Sequence, residues 1–255
     1  MMEEKLFDQL KVQIHDSRSA LGAAAAAAVA QKINEVLSYQ ASINMIFAAA
    51  LSQSEFLFYL AGFRTLPWNR INAFHMDEYV GLSNISPQSF GNFLKEKLFE
   101  KVPFQQVFYI NGAATDVQTE CKRYAGLLKQ FPPDIACMGI GVNTHIAFND
   151  PHEARFHDPV LVKTVALDEV CRRQQVDDGC FENIDKVPRD AITLTIPALM
   201  QAGYIYCMVP GANKSQAVYQ TLMSEINEHH PSTILRKHAH AVLYLDGESS
   251  ALIRQ

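Results

Sequence analysis

Three short constellations in this chain combine residue types that move protons or hold anions. The first, Met76-Asp77-Glu78-Tyr79, directly follows an apolar run. A carboxylate leaving a strand into a dry cleft gains basicity by desolvation and can act as a general base. The alternative is that one of the pair caps the next turn and the other is solvated. The second is Gly139-Ile140-Gly141-Val142-Asn143-Thr144-His145. Two glycines permit a sharp turn that brings Asn143 and His145 to one crevice. Asp150 follows closely and could orient the imidazole and raise its basicity; a hydrogen-bonded structural histidine is the competing reading. The third, Pro210-Gly211-Ala212-Asn213-Lys214, closes one apolar run and opens a helical one. Free N–H groups and an ammonium there could hold an anion, although a solvated lysine is the commoner fate.

Other chemistries find less support. The Gly-x-Gly lacks the third glycine and the distal acidic residue of a dinucleotide fingerprint. No serine or cysteine sits in a nucleophile elbow. His145, His152 and His157 with Asp150 and Asp158 lack the spacing of a helix-borne His-x-x-x-His pair, so no metal is expected. The net charge of -5 leaves no basic footprint for nucleic acid or an anionic membrane. Five cysteines without a CxxC pair read as reduced thiols. The acidic start of the chain is unlike a signal peptide, and the longest small apolar run, residues 21–30, is far short of the roughly 20 residues that span a bilayer. A soluble, cytoplasmic protein is expected.

The elements that must position these groups are legible as alternation. Short apolar runs at 43–48, 71–75, 107–110, 134–138, 160–166, 192–195, 204–209 and 241–245 read as strands of a sheet covered on both faces. Helical stretches at 17–37, 55–63, 87–101, 116–130 and 214–226 lie between several of them, with Ser17 as a cap and Pro87 in a first turn. This predicts an α/β fold with a mainly parallel sheet, built as one domain over residues 1–255. Residues 149–188, polar and weakly periodic, form a candidate lid. Ligands of such sheets bind beyond the carboxyl ends of the strands. That rule alone selects residues 49–54, 76–81, 139–150 and 210–214.

At this point a resemblance becomes specific. Phe74-His75-Met76-Asp77-Glu78-Tyr79-Val80-Gly81-Leu82 followed by Pro87-Gln88-Ser89-Phe90, and Met138 through Pro151 as a second signature, resemble the glucosamine-6-phosphate deaminase (isomerase) family. Val187-Pro188, Ala191-Ile192-Thr193-Leu194 and the 211–214 turn match in the same order, so the likeness runs from about residue 43 to 245. The related 6-phosphogluconolactonases share the fold but differ at Tyr79 and after His145. The resemblance implies a three-layer α/β/α fold like that of ribose-5-phosphate isomerase and CoA transferases. It also implies conversion of glucosamine 6-phosphate, or a close epimer such as galactosamine 6-phosphate, to a ketose 6-phosphate and ammonia. Asp77 matches the proton-shuttling aspartate and His145 the ring-opening histidine, supported by Asn143 and Asp150. Ser52, Gln53, Glu78 and Lys214 are the expected substrate contacts. The implied partner is a small sugar phosphate, with no organic cofactor, and a homo-oligomer is left open. The alternatives are a non-catalytic sugar- or metabolite-binding homologue and a lactone hydrolase.

The chain also departs from that family. Asp150 stands where relatives carry glutamate, and Thr144 where they carry glycine. The loop after the first strand, Ala48-Ala49-Ala50-Leu51-Ser52-Gln53-Ser54, replaces a glycine- and hydroxyl-rich phosphate loop, with Leu51 expected to obstruct the backbone. The lid arginine that binds phosphate has no secure match, since Arg172 and Arg173 fall a few residues early. The proton-transfer half of the site is thus kept better than the phosphate half.

Overall fold

A computed structural model describes residues 3–83 and 85–254. The chain begins with a hairpin, β1 (Glu3–Phe7) and β2 (Leu10–His15), whose turn holds Asp8 at φ 52°. Ser17 then caps α1 (Arg18–Leu37), its side chain accepting from the Ala20 amide at 3.1 Å. Next come β3 (Ile43–Phe47), α2 (Ser54–Ala61), β4 (Ile71–His75) and β5 (Asp77–Tyr79). They are followed by α3 (Phe90–Leu94), β6 (Gln106–Phe108), α4 (Val117–Gln130) and β7 (Ile135–Met138). The candidate lid region supplies β8 (Val162–Ala166) and α5 (Glu169–Asp177), and β9 (Asp190–Leu194) and α6 (Ile196–Met200) follow. The last elements are β10 (Tyr204–Val209), α7 (Ser215–Met223) and β11 (Ala241–Asp246).

Eight strands form the main sheet in the order β1-β2-β11-β10-β7-β3-β4-β6. Every pair is parallel except β1 with β2. Alternation along the strands divides the core between two faces. Ile43, Met45 and Phe47 pack with α1 and α2, whereas Ile46, Ala136, Met138 and Cys207 pack with α4, α6 and α7. The alanine-rich run of α1 serves a close helix crossing: a Cβ on Gly22 would stand 2.7 Å from Glu55 Cβ of α2. The result is a three-layer α/β/α sandwich. No helix among the described residues is long and apolar enough to cross a membrane.

Several expectations need correction. The runs at 160–166 and 192–195 do not join the main sheet. They form β8 and β9, which pair antiparallel with β5 in a separate three-stranded sheet. The sign is in β8, where only Val162 and Val165 are buried while Lys163, Thr164 and Ala166 are partly or fully exposed, unlike a central strand covered on both faces. Pro87 precedes its helix instead of opening it; Ser89 is the cap, accepting from Asn92 N, and the helix continues as a π-turn, Lys95–Phe99. The hairpin β1–β2 and helix α5 lie outside the predicted elements. The small sheet and α5 enclose their own apolar cluster of Tyr79, Phe148, Val165, Cys171 and Phe181.

Candidate active site

All four segments selected by the strand-end rule meet in one cleft. Asp77, Ser52, Gln53, His145 and Lys214 line it together, and α5 adds Gln174 and Gln175.

Asp77 begins β5 immediately after the chain leaves β4. Its backbone carbonyl is held by buried His75, whose Nε2 accepts from Ile110 N at 2.8 Å, so that Nδ1 carries the proton and donates to Asp77 O at 2.9 Å. Burial lowers the pKa of His75 and favours that neutral ring. The Asp77 carboxylate is buried and accepts no hydrogen bond among the described residues. Burial, and then the neighbouring charge of Glu78, push it well above the usual carboxylate range. A carboxyl in this state is a stronger base once ionised.

Glu78 is placed elsewhere. Its Oε1 accepts from the amides of Tyr79 (3.0 Å) and Phe90 (3.1 Å), and its Oε2 from Gly91 N (2.9 Å) and Ser89 Oγ (2.7 Å). Adjacent strand residues face opposite ways, and the expected substrate contact is instead an anion pinned to the start of α3.

His145 sits on a tight turn after β7. Gly141 N donates to His145 O at 2.9 Å, and Thr144 and Ala147 take left-handed φ values of 70° and 49°. The imidazole lies directly on Gly141, where a Cβ would come within 2.1 Å of ring Cε1 and Nε2. Its Nδ1 meets Asn143 Oδ1 at 2.7 Å and Asp150 Oδ1 at 3.1 Å. Two acceptors at Nδ1 place the proton there and leave Nε2 free to exchange one. Asn143 Nδ2 donates in turn to Asp150 Oδ1 (3.0 Å) and Asp168 Oδ2 (3.2 Å). Burial works against ionised Asp150, but the hydrogen bonds from His145 and Asn143 outweigh it and hold this carboxyl below its usual range. The shorter Asp150 side chain therefore does reach the imidazole.

On the anion side, Leu51 does not obstruct the cleft. Its side chain is 45% exposed and faces an adjoining hollow, while Ala50 and Ser52 line the cleft itself. Gln53 is a floor residue whose Nε2 donates to Met208 O at 3.1 Å and to Ser52 Oγ at 3.2 Å, across Gly139, where a Cβ would stand 2.9 Å away. Lys214 is 5% exposed and makes no ion pair among the described residues. Burial lowers its pKa to about 8, against the opposing pull of Asp178. Gly211 opens its turn at φ 98°, with its amide donating to both oxygens of Asp246, at 3.0 and 3.2 Å. Arg172 donates to the carbonyls of Ile184 and Val187, and exposed Arg173 pairs with Glu169.

Sequence reasoning missed His75, Asp168, Gln175 and Asp246. The carboxyl ends of β4 and β11 could have pointed to His75 and Asp246; nothing in the composition of α5 singles out Gln175. Donor atoms of His145, Asp150 and Cys171, and separately of Asp150, His152 and Asp168, lie within 4.8 Å of one another. These are the groups that could hold an ion, and in both the carboxylate of Asp150 is already engaged by Asn143.

Comparison with known proteins adds four findings. Residues 16–244 match the family profile described as glucosamine-6-phosphate isomerases/6-phosphogluconolactonase. A glucosamine-6-phosphate deaminase of Bacillus cereus (strain G9842) is 37% identical over 187 residues, 73% of this chain and 70% of that protein. A solved monomeric glucosamine-6-phosphate deaminase superposes with a TM-score of 0.88 at 28% identity, over 94% of this chain and 99% of that one. A 6-phosphogluconolactonase from Thermotoga maritima shares the fold, with a TM-score of 0.75 at 20% identity over 92% and 98% of the two chains.

Proposed function

We propose, from the premise that this chain belongs to the glucosamine-6-phosphate isomerase/6-phosphogluconolactonase family, that it is an aldose–ketose isomerase/deaminase of an amino-sugar phosphate. Its substrate is glucosamine 6-phosphate or a close epimer, and its products are the ketose 6-phosphate and ammonia. One observation carries this reading: a buried Asp77 with no hydrogen-bond donor among the described residues and an imidazole oriented through Nδ1 face the same cleft.

The chemistry needs two proton movements. In ring opening, His145 Nε2 accepts the proton of the anomeric hydroxyl and returns a proton to the ring oxygen, while Asn143 and Asp150 stabilise the transient imidazolium. Asp77 then removes the proton from C2 of the open aldehyde and delivers it to C1, while one proton of the C2 ammonium passes to O1, giving the 2-iminium form of the 1-hydroxy sugar. Water adds to C2, ammonia departs, and the ketose remains. Lys214 and Ser52 hold the distal anionic group and fix the position of C2 against Asp77. This assignment leaves Glu78 a structural task.

Ammonia release from glucosamine 6-phosphate and galactosamine 6-phosphate tests the reading. Turnover with one of them, reduced at least about 10²-fold in Asp77→Asn with ligand binding intact, is expected. No turnover of either sugar would refute the substrate assignment. Retained turnover in Asp77→Asn would remove Asp77 from its role.

A further inference from the structure

Besides Asp77, two buried polar side chains line the cleft without a protein partner among the described residues: the Lys214 ammonium and the Gln175 carboxamide, the latter 9% exposed. Gln174 beside it is occupied at both ends. Its Oε1 accepts from Val142 N at 3.1 Å and its Nε2 donates to Asp178 Oδ2 at 3.3 Å. The arginines preceding Gln175 are tied to backbone carbonyls and to Glu169. Lys214 is thus the only lysine or arginine among the described residues lining the cleft. Gln175 also lines the adjoining hollow, which contains Asp178.

A phosphate monoester carries about -1.5 to -2 at pH 7. One ammonium neutralises one unit of that charge. The second would rest in a largely buried place that offers only neutral amide and hydroxyl dipoles and feels the carboxylate of Asp178. Buried charge without a counter-charge is disfavoured, whereas a carboxamide meets the oxygens of a singly charged group without such an imbalance.

We propose that Gln175 is a specificity-determining residue and that, with Lys214, it makes the distal subsite one that takes a singly charged oxyanion, so that the 6-sulfate ester of the amino sugar rivals the 6-phosphate. The inference rests on the amino-sugar reading above for the rest of the ligand. It concerns only the distal group.

Calorimetric binding and ammonia release with glucosamine 6-phosphate and glucosamine 6-sulfate at pH 7.5 test it, using wild type, Gln175→Arg and Gln175→Ala. In wild type the two Kd values are expected within about tenfold of each other. Gln175→Arg should move the ratio at least tenfold toward the phosphate, because a guanidinium supplies the missing charge and a bidentate contact. Gln175→Ala should weaken both esters by roughly three- to tenfold, the value of a neutral hydrogen bond, and leave their ratio unchanged. A wild-type preference for phosphate beyond about a hundredfold overturns the proposal. So does an unmoved ratio in a folded Gln175→Arg, or no binding of either ester. If Gln175→Arg fails to fold, the wild-type ratio and the Gln175→Ala result decide. The expected ratios without ammonia release from any variant would support this subsite while refuting the deaminase reading. Ammonia release with the wrong ratio would do the reverse.

Discussion

Thr144 is a β-branched residue held at φ 70°, fully buried, with an Oγ1 that has no hydrogen-bond partner among the described residues. Replacing it by glycine changes four terms. Relief of the left-handed backbone contributes about 1–2 kcal/mol, and removal of a buried unsatisfied hydroxyl about 1–3 kcal/mol. Against these stand about 0.5–1 kcal/mol for the greater freedom of glycine in the unfolded chain and about 1.5 kcal/mol for two lost buried carbons. The balance is a stabilisation of about 1 kcal/mol, which for a chain of this size raises Tm by about 2–4 °C. Thr144→Ala is the control. It loses the hydroxyl but keeps a Cβ at positive φ, so the glycine variant should exceed it by more than about 0.4 kcal/mol. Thermal melts and urea unfolding of the three proteins measure this directly. A glycine variant less stable than the alanine variant would refute the assignment of strain to this turn. Because Asn143 and Asp150 still hold the imidazole, the glycine variant should keep the wild-type rate of ammonia release.

Three further outcomes follow from the site. Asp77→Asn should raise Tm at pH 8 and have no such effect near pH 4. The folded carboxyl is raised above its unfolded value of about 3.9, so the stability it contributes is present at low pH and is lost as pH rises through the folded value. A lower Tm at pH 8 would mean that the charge is compensated. Gly141→Ala puts a Cβ 2.1 Å from two atoms of a rigid ring; the imidazole must move by more than 1 Å, and turnover should fall about 10²-fold or more. Near-wild-type turnover in this variant would contradict the placement of His145. Finally, Lys214 loses its charge as pH passes about 8. The Kd for an anionic sugar should therefore rise roughly tenfold by pH 9, and this pH dependence should be absent in Lys214→Met.

The main sheet was readable because parallel strands buried on both faces appear as uninterrupted apolar runs, and its strand ends located the cleft before any side chain was placed. The hairpin was not, because β1 has a charged, largely exposed sequence and β2 shows its apolar side only at Leu10, Val12 and Ile14. The α5 helix escaped for a related reason: only Cys171 and Gln175 are buried on it, so it has no apolar period to detect. Glu78 was separable from Asp77 in principle, since a strand through both must turn them to opposite faces. That required seeing that the chain re-enters a strand one residue after β4 ends. Leu51 misled because its residue type was read as its direction; the 3-10 turn Leu51–Gln53 sends that side chain outward. Thr144 is the converse case, where the residue type flagged a turn whose backbone is left-handed, at φ 70°.

The position of α5 connects the two halves of the site. Asp168 caps this helix, accepting from Cys171 N at 2.6 Å, and the same carboxylate accepts from Asn143 Nδ2, which also supports Asp150. One turn further along, Gln174 accepts from Val142 N on the histidine turn, and Gln175 enters the cleft. Helix α5 therefore touches the 139–150 turn at Asn143 and at Val142 while presenting an unpartnered amide to the distal end of a ligand. A ligand that engages Gln175 holds α5 in place, and a held α5 holds the amide that orients His145. Binding energy at the distal group is then available to the proton-transfer end. Removing the distal group from the sugar should consequently lower kcat as well as raise KM, whereas a subsite that served affinity alone would change KM only.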